Sequence, residues 1–100
     1  MFSMTSEKPF ALSEVAQRVL IVLGRENRGL TVRELVEKTD TNSGSIKRAL
    51  EELTELKLIK EERENVFPYR RLISLTELGK EVAKRVIEIE ELIKKVRTND

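Results

Sequence analysis

The chain has 100 residues, with 19 Lys plus Arg against 18 Asp plus Glu and no His, Cys or Trp, so one compact domain is the expected organisation. The missing residue types exclude disulfides, thiolate nucleophiles, imidazole bases and the usual zinc ligands, and with them Ser-His and Cys-His catalysis. The formal net charge of +1 is evenly spread except over residues 58–75, where Lys60, Arg63, Arg70 and Arg71 face Glu61, Glu62 and Glu64, so a polyanion would be held by the orientation of particular side chains.

Residues 1–9 are polar and lack periodicity, which predicts a flexible tail ended by Pro9, with Phe10 and Leu12 as anchors. From Ser13, the residues Val15, Ala16, Val19, Leu20, Val22 and Leu23 recur at helical spacing, with Gly24 as the expected stop. Asn27 and Gly29 suit positive φ in the turn that follows. Thr31-Val32-Arg33-Glu34 spells a capping box, with Leu30 and Leu35 as its hydrophobic staple, and the turn formers Thr39 to Asn42 end this second helix early.

A third helix starts at Asn42 or Ser43, either of which can cap it. Ile46, Ala49, Leu50, Leu53 and Leu56 form one buried stripe, leaving Ser45, Lys47, Arg48, Glu51 and Glu52 outside. Residues 58–62 and 69–75 read as a two-stranded hairpin around the loop 63–68, in which Pro68 suits a loop or an edge. Phe67 and Tyr69 are expected to cover the hairpin surface. Ser74-Leu75-Thr76-Glu77 is a second capping box with Ile73 and Leu78 as staple and Thr76 as a rival cap. Gly79 is expected at a point of close packing.

The last helix, over 76–97, carries Val82, Val86, Ile89, Ile93 and Val96 at steps of 4, 3, 4 and 3, the seam of a coiled coil. At 1.5 Å per residue it runs about 33 Å, longer than the roughly 26 Å across a chain of this size. Leu78 and Val82 are expected to pack on the first helix, while the distal half overhangs beyond its reach. Burying Ile89, Leu92, Ile93 and Val96 against a second copy is worth about 6 to 10 kcal/mol before ordering costs.

The fold class is therefore mainly α with a small β-hairpin: a winged helix-turn-helix domain over 10–78, continuous with a long dimerisation helix over 76–97. The acid-free start of the third helix suits a major groove, with Asn42, Ser43, Ser45, Lys47 and Arg48 as candidate contacts. Arg63, Arg70 and Arg71 are candidate wing contacts to phosphate or the minor groove. The competing reading for Lys47 and Arg48 is i,i+4 pairing with Glu51 and Glu52 on a solvated face.

Residues 13 to about 80 resemble the winged helix-turn-helix transcription regulators, near the MarR and PadR groups. The resemblance is carried by TVRELVEKTDTNSGSIKRALEELTELKLIKEE and RRLISLTELGKEV, with Leu75-Thr76-Glu77-Leu78-Gly79 opening the helix after the wing. Lys57 stands where many relatives carry Gly, and the Cys or His ligands of metal-sensing ArsR relatives are absent. The resemblance implies a homodimeric, sequence-specific regulator on a palindromic double-stranded DNA site, without enzymatic activity, metal or cofactor. A winged-helix module that binds protein instead is the alternative. No stretch reaches a membrane span and the start lacks a signal peptide, so a cytoplasmic protein is expected. The Lys- and Glu-rich 37% of charged residues adds a thermophilic archaeal source to the expectations.

Overall fold

Ser13 opens helix α1, Glu14–Glu26, by accepting the Ala16 N–H on its hydroxyl at 3.2 Å. The computed structural model describes residues 12–98; the expected tail and Phe10 lie outside them, while Leu12 packs half-buried against the core. Gly24 does not end α1. The helix continues to Asn27, which takes the left-handed conformation at φ 55° and donates its N–H to the Leu23 carbonyl. Gly29 is not at positive φ either. Its requirement is close approach, since a Cβ there would sit 3.0 Å from the Leu72 Cβ.

Helix α2, Val32–Thr39, begins on the predicted capping box: Glu34 N–H donates to Thr31 Oγ1 at 3.1 Å, and Thr31 N–H donates to Glu34 Oε1 at 2.9 Å. The backbone N–H of Thr31, followed by the charge of Arg28, holds the Glu34 carboxyl below the ordinary carboxylate range. A depressed folded pKa means that this stabilisation is complete above the unfolded pKa and is lost as pH falls through the folded value. Glu34→Gln keeps an acceptor at the box, so it is expected to cost under about 1 kcal/mol at neutral pH and to shrink the acid-side loss. Urea midpoints from pH 7 down to 3 check this, and an acid limb identical to that of the parent chain would contradict it.

Asp40, at φ 57°, ends α2 with two backbone bonds, from its own N–H to Glu37 and from Thr41 to Val36. Helix α3, Ser43–Glu55, then starts on Asn42, whose side chain accepts the Ser45 N–H at 2.9 Å. Ile46, Ala49 and Leu53 are buried as expected, whereas Leu56 sits past the helix end and is exposed. Lys57 adopts the left-handed position at φ 62° that Gly would favour, with Lys57 N–H to Thr54 O and Leu58 N–H to Leu53 O completing the exit.

Strands β1, Ile59–Arg63, and β2, Arg71–Leu75, pair antiparallel with Ile59 opposite Leu75 and Arg63 opposite Arg71. Leu30 adds a further rung, exchanging both backbone hydrogen bonds with Ile73 at 2.7 and 2.9 Å. The start of helix α4, Glu77–Thr98, goes to Thr76 and not to Ser74, which belongs to β2. Thr76 Oγ1 accepts the Gly79 N–H at 2.9 Å and donates to the Lys57 carbonyl at 2.7 Å, tying the exit of α3 to the entry of α4.

The core lies where α1, α2, α3 and the hairpin base converge, with Leu20, Leu23, Leu30, Leu35, Ile46 and Leu53 fully buried. Ala83 is the deepest alkyl side chain of α4 in it, and a Cβ on Gly24 would lie 3.2 Å from the Ala83 Cβ and 2.9 Å from Ile87 Cδ1. Gly24 is therefore a crossing point of two helices. Leu78, expected against α1, instead points out, because the helix entry turns Gly79 inward.

Candidate nucleic-acid interface

Helices α2 and α3 are joined through Asp40 to Asn42, and the turn is locked from inside. Thr39 Oγ1 donates to the Leu35 carbonyl at 2.6 Å and lies 2.9 Å from Thr41 Oγ1, while Arg18 reaches the Thr39 carbonyl at 3.3 Å. This fixes the direction in which α3 leaves. Its first turn holds no acidic residue, and Ser43, Gly44, Lys47 and Arg48 are exposed. Asn42 commits its side-chain oxygen to the cap, so only its amide NH2 is left to donate outward. The N–H groups of Ser43 and Gly44 have no acceptor within the helix, as first-turn donors do not.

Ser45 is half-buried and turns toward the start of α1, sharing a shallow groove with Ser13, Val15, Arg48 and Glu52. Lys47 and Arg48 make no ion pair among the described residues; the nearest polar contact of Arg48 is Ser45 Oγ at 3.5 Å. The i,i+4 pairs with Glu51 and Glu52 do not form. Glu52 instead accepts the Ser13 N–H at 3.0 Å. Elsewhere arginines are held by carboxylates, as in Arg18 with Glu14 and Arg85 with Glu81, both at 2.7 Å, and Arg25 with Glu90 at 2.8 Å.

At the hairpin, Arg70 grips Glu64 through two bonds of 3.0 and 2.9 Å, and Arg71 lies 3.5 Å from Glu61. The Arg70 fork, chiefly its side-chain hydrogen bonds, depresses the Glu64 carboxyl and raises the Arg70 guanidinium. Arg63 has no carboxylate within ion-pair distance among the described residues, and its Nη1 donates to the Tyr69 carbonyl at 3.4 Å. Phe67 does not cover the hairpin. It is 84% exposed at the tip, edge-on to Tyr69 with ring centroids 6.2 Å apart. The core contacts of the hairpin end at its base, so the loop carries these rings away from any apolar surface.

Helix α4 divides the predicted seam. Val82 and Val86 pack half-buried against the core of their own domain, whereas Ile89, Leu92, Ile93 and Val96 are 52 to 66% exposed. The distal half is not beyond reach of α1: Glu90 pairs with Arg25, and Ile89 and Ile93 line an open groove of about 480 Å3 with Leu12, Arg18 and Ile21. The crossing at Gly24 brings the two helices close enough for this. Periodicity alone assigned no role to Ile87, which lies over that glycine. Among the described residues no group of three or more acidic, His or Cys side chains is placed to hold a metal, and no helix is long and apolar enough to cross a membrane.

Residues 14–63 match the IclR helix-turn-helix domain. No curated protein matches the sequence. A variant of ZitR from Lactococcus lactis superposes with a TM-score of 0.82 at 26% identity, over 93% of this chain and 62% of that one. The adhesin competence repressor AdcR of Streptococcus pyogenes follows at 0.78 and 18% identity, over 88% of this chain and 64% of that one. MepR, a transcription regulator of the Staphylococcus aureus multidrug efflux pump MepA, gives 0.74 and 19%, over 90% and 66%. At 18 and 19% identity the likeness is one of fold. The chain thus spans a little under two thirds of the ZitR and AdcR structures, and its fold is a winged helix-turn-helix with a long C-terminal helix.

Proposed function

Because this chain belongs to the family of IclR helix-turn-helix domains, we propose that it is a homodimeric transcription regulator binding double-stranded DNA sequence-specifically. In this reading α3 lies in the major groove and the wing on the backbone or minor groove. The observation that carries it is the pair Lys47 and Arg48, cations without carboxylate partners among the described residues, on the exposed, acid-free start of α3. Nearby, Ser43 and Gly44 offer backbone N–H groups to a phosphate, and the Asn42 amide donates beside them. Ser45 supports Arg48 from below. Arg63 is available to phosphate directly, whereas Arg70 and Arg71 would exchange Glu64 and Glu61 for it.

A second copy docked on Ile89, Leu92, Ile93 and Val96 removes the exposed strip of α4. Val82 and Val86 then form the inner edge of that contact. A two-fold dimer reading successive major grooves would hold its two α3 helices about 34 Å apart and bind a palindromic site. A cytoplasmic location and a thermophilic archaeal source complete the reading; the ion pairs spread over the surface, such as Arg18 with Glu14 and Arg85 with Glu81, support its thermophilic part alone.

The test is selection of duplexes from a random pool, with the mass of the free protein measured alongside. Arg48→Ala is expected to weaken the selected duplex roughly tenfold, and log affinity to fall linearly with log salt. Unchanged affinity after that substitution rejects α3 as the reading helix. No duplex retained at low salt, with α3 substitutions instead abolishing capture of a protein, would favour the protein-docking alternative.

A further inference from the structure

The wing tip presents a cost without a visible return. Val66 and Phe67 are 67 and 84% exposed and Tyr69 is 50% exposed, yet the loop that lifts them out is firmly tied. Glu64 N–H donates to the Arg70 carbonyl at 2.9 Å, Tyr69 N–H to the Val66 carbonyl at 2.7 Å, and the Glu64 carboxylate clamps the Arg70 side chain. Tyr69 braces Phe67 edge-on, so the ring is held outward by its neighbours. Clustered apolar exposure on a built surface marks a contact.

Two observations choose the partner. Three side chains at the end of a two-stranded hairpin fall far short of the roughly 800 Å2 per side of a stable protein interface. The charges also favour a polyanion: Glu61 and Glu64 are occupied by Arg71 and Arg70, and the cation beside the tip, Arg63, has no carboxylate partner among the described residues. A minor groove about 6 Å wide admits a ring edge but no helix, and proteins that use it combine Asn or Arg readers with an apolar wedge. Asn65, Arg63 and Phe67 supply that combination within five residues of sequence.

We infer that Phe67 is a wedge which the wing inserts into the minor groove of the bound duplex, partly unstacking one base step and bending the DNA. The inference rests on the DNA-binding reading above and adds selectivity by deformability: sites with a flexible pyrimidine-purine step under the wing are preferred although no side chain reads that step.

The test uses the full chain and a duplex selected by it from a random pool, with bending measured by the mobility of circularly permuted fragments. The parent protein is expected to bend the duplex by about 20 to 90°. Phe67→Ala is expected to lose most of the bend and to bind roughly tenfold more weakly with an unchanged salt slope, because no phosphate contact is removed. Phe67→Leu, which keeps an apolar wedge, should restore the bend, and both variants should keep the parental melting temperature. Bending and affinity identical to the parent in Phe67→Ala would overturn the inference alone and leave the tip to a protein partner. A parent protein that retains no duplex at low salt would overturn both the inference and the reading beneath it.

Discussion

Gly79→Ala is expected to destabilise the domain by about 3 kcal/mol or more, a large share of the roughly 5 to 15 kcal/mol that such a domain has. An added Cβ would lie 1.9 Å from the Leu58 carbonyl oxygen and 2.8 Å from its carbon. Both atoms are backbone, so no side-chain rotation relieves the overlap. Moving that carbonyl would disturb its bond from Thr76 N–H at 3.0 Å and, with it, the hydroxyl that joins Lys57 to Gly79. Gly24→Ala is the matched control. There the closest atom is the swinging end of Ile87, and the gain in helix propensity offsets part of the strain, so its cost should stay within about 1 kcal/mol. Urea unfolding of the two variants at one protein concentration decides the matter, and equal midpoints would sink the argument.

Ile89→Glu combined with Ile93→Glu is expected to turn the proposed dimer into monomers, with the dissociation constant raised more than about a hundredfold. These side chains are 56 and 52% exposed in the single chain, so charge there costs the isolated domain little. Against a second copy the same carboxylates would be desolvated without partners. Affinity for a palindromic duplex should drop with dimerisation, while affinity for a half-site stays near that of a parent monomer. Sedimentation at micromolar protein gives the mass. A doubly substituted chain that sediments as the parent does would show that copies, if they pair, do so elsewhere.

The candidate reading surface was legible because its signals are local. Thr31 with Glu34, and Asn42 with the Ser45 N–H, are contacts within three residues, so spelling and geometry coincide. The same holds for the buried stripe Ile46, Ala49 and Leu53, where helical period alone selects the face. The hairpin was legible from two β-prone runs around a Pro-bearing loop. The outward Phe67 was not, since whether a loop ring finds a surface depends on where the hairpin projects.

Composition and short-range pattern were therefore sufficient for the order of elements, the cap of α2, the choice of Asn42 or Ser43 for α3, and the exclusion of His and Cys chemistry. Helix entry at Thr76 in place of Ser74, the passage of α1 through Gly24, and the division of the α4 seam between Val86 and Ile89 were not contained in any short window. Each depends on which atoms of distant segments meet: the Lys57 carbonyl on Thr76, Ile87 on Gly24, and Arg25 on Glu90. Such contacts arise only once two surfaces pack, because steric fit and pairing of polar groups are properties of both partners together.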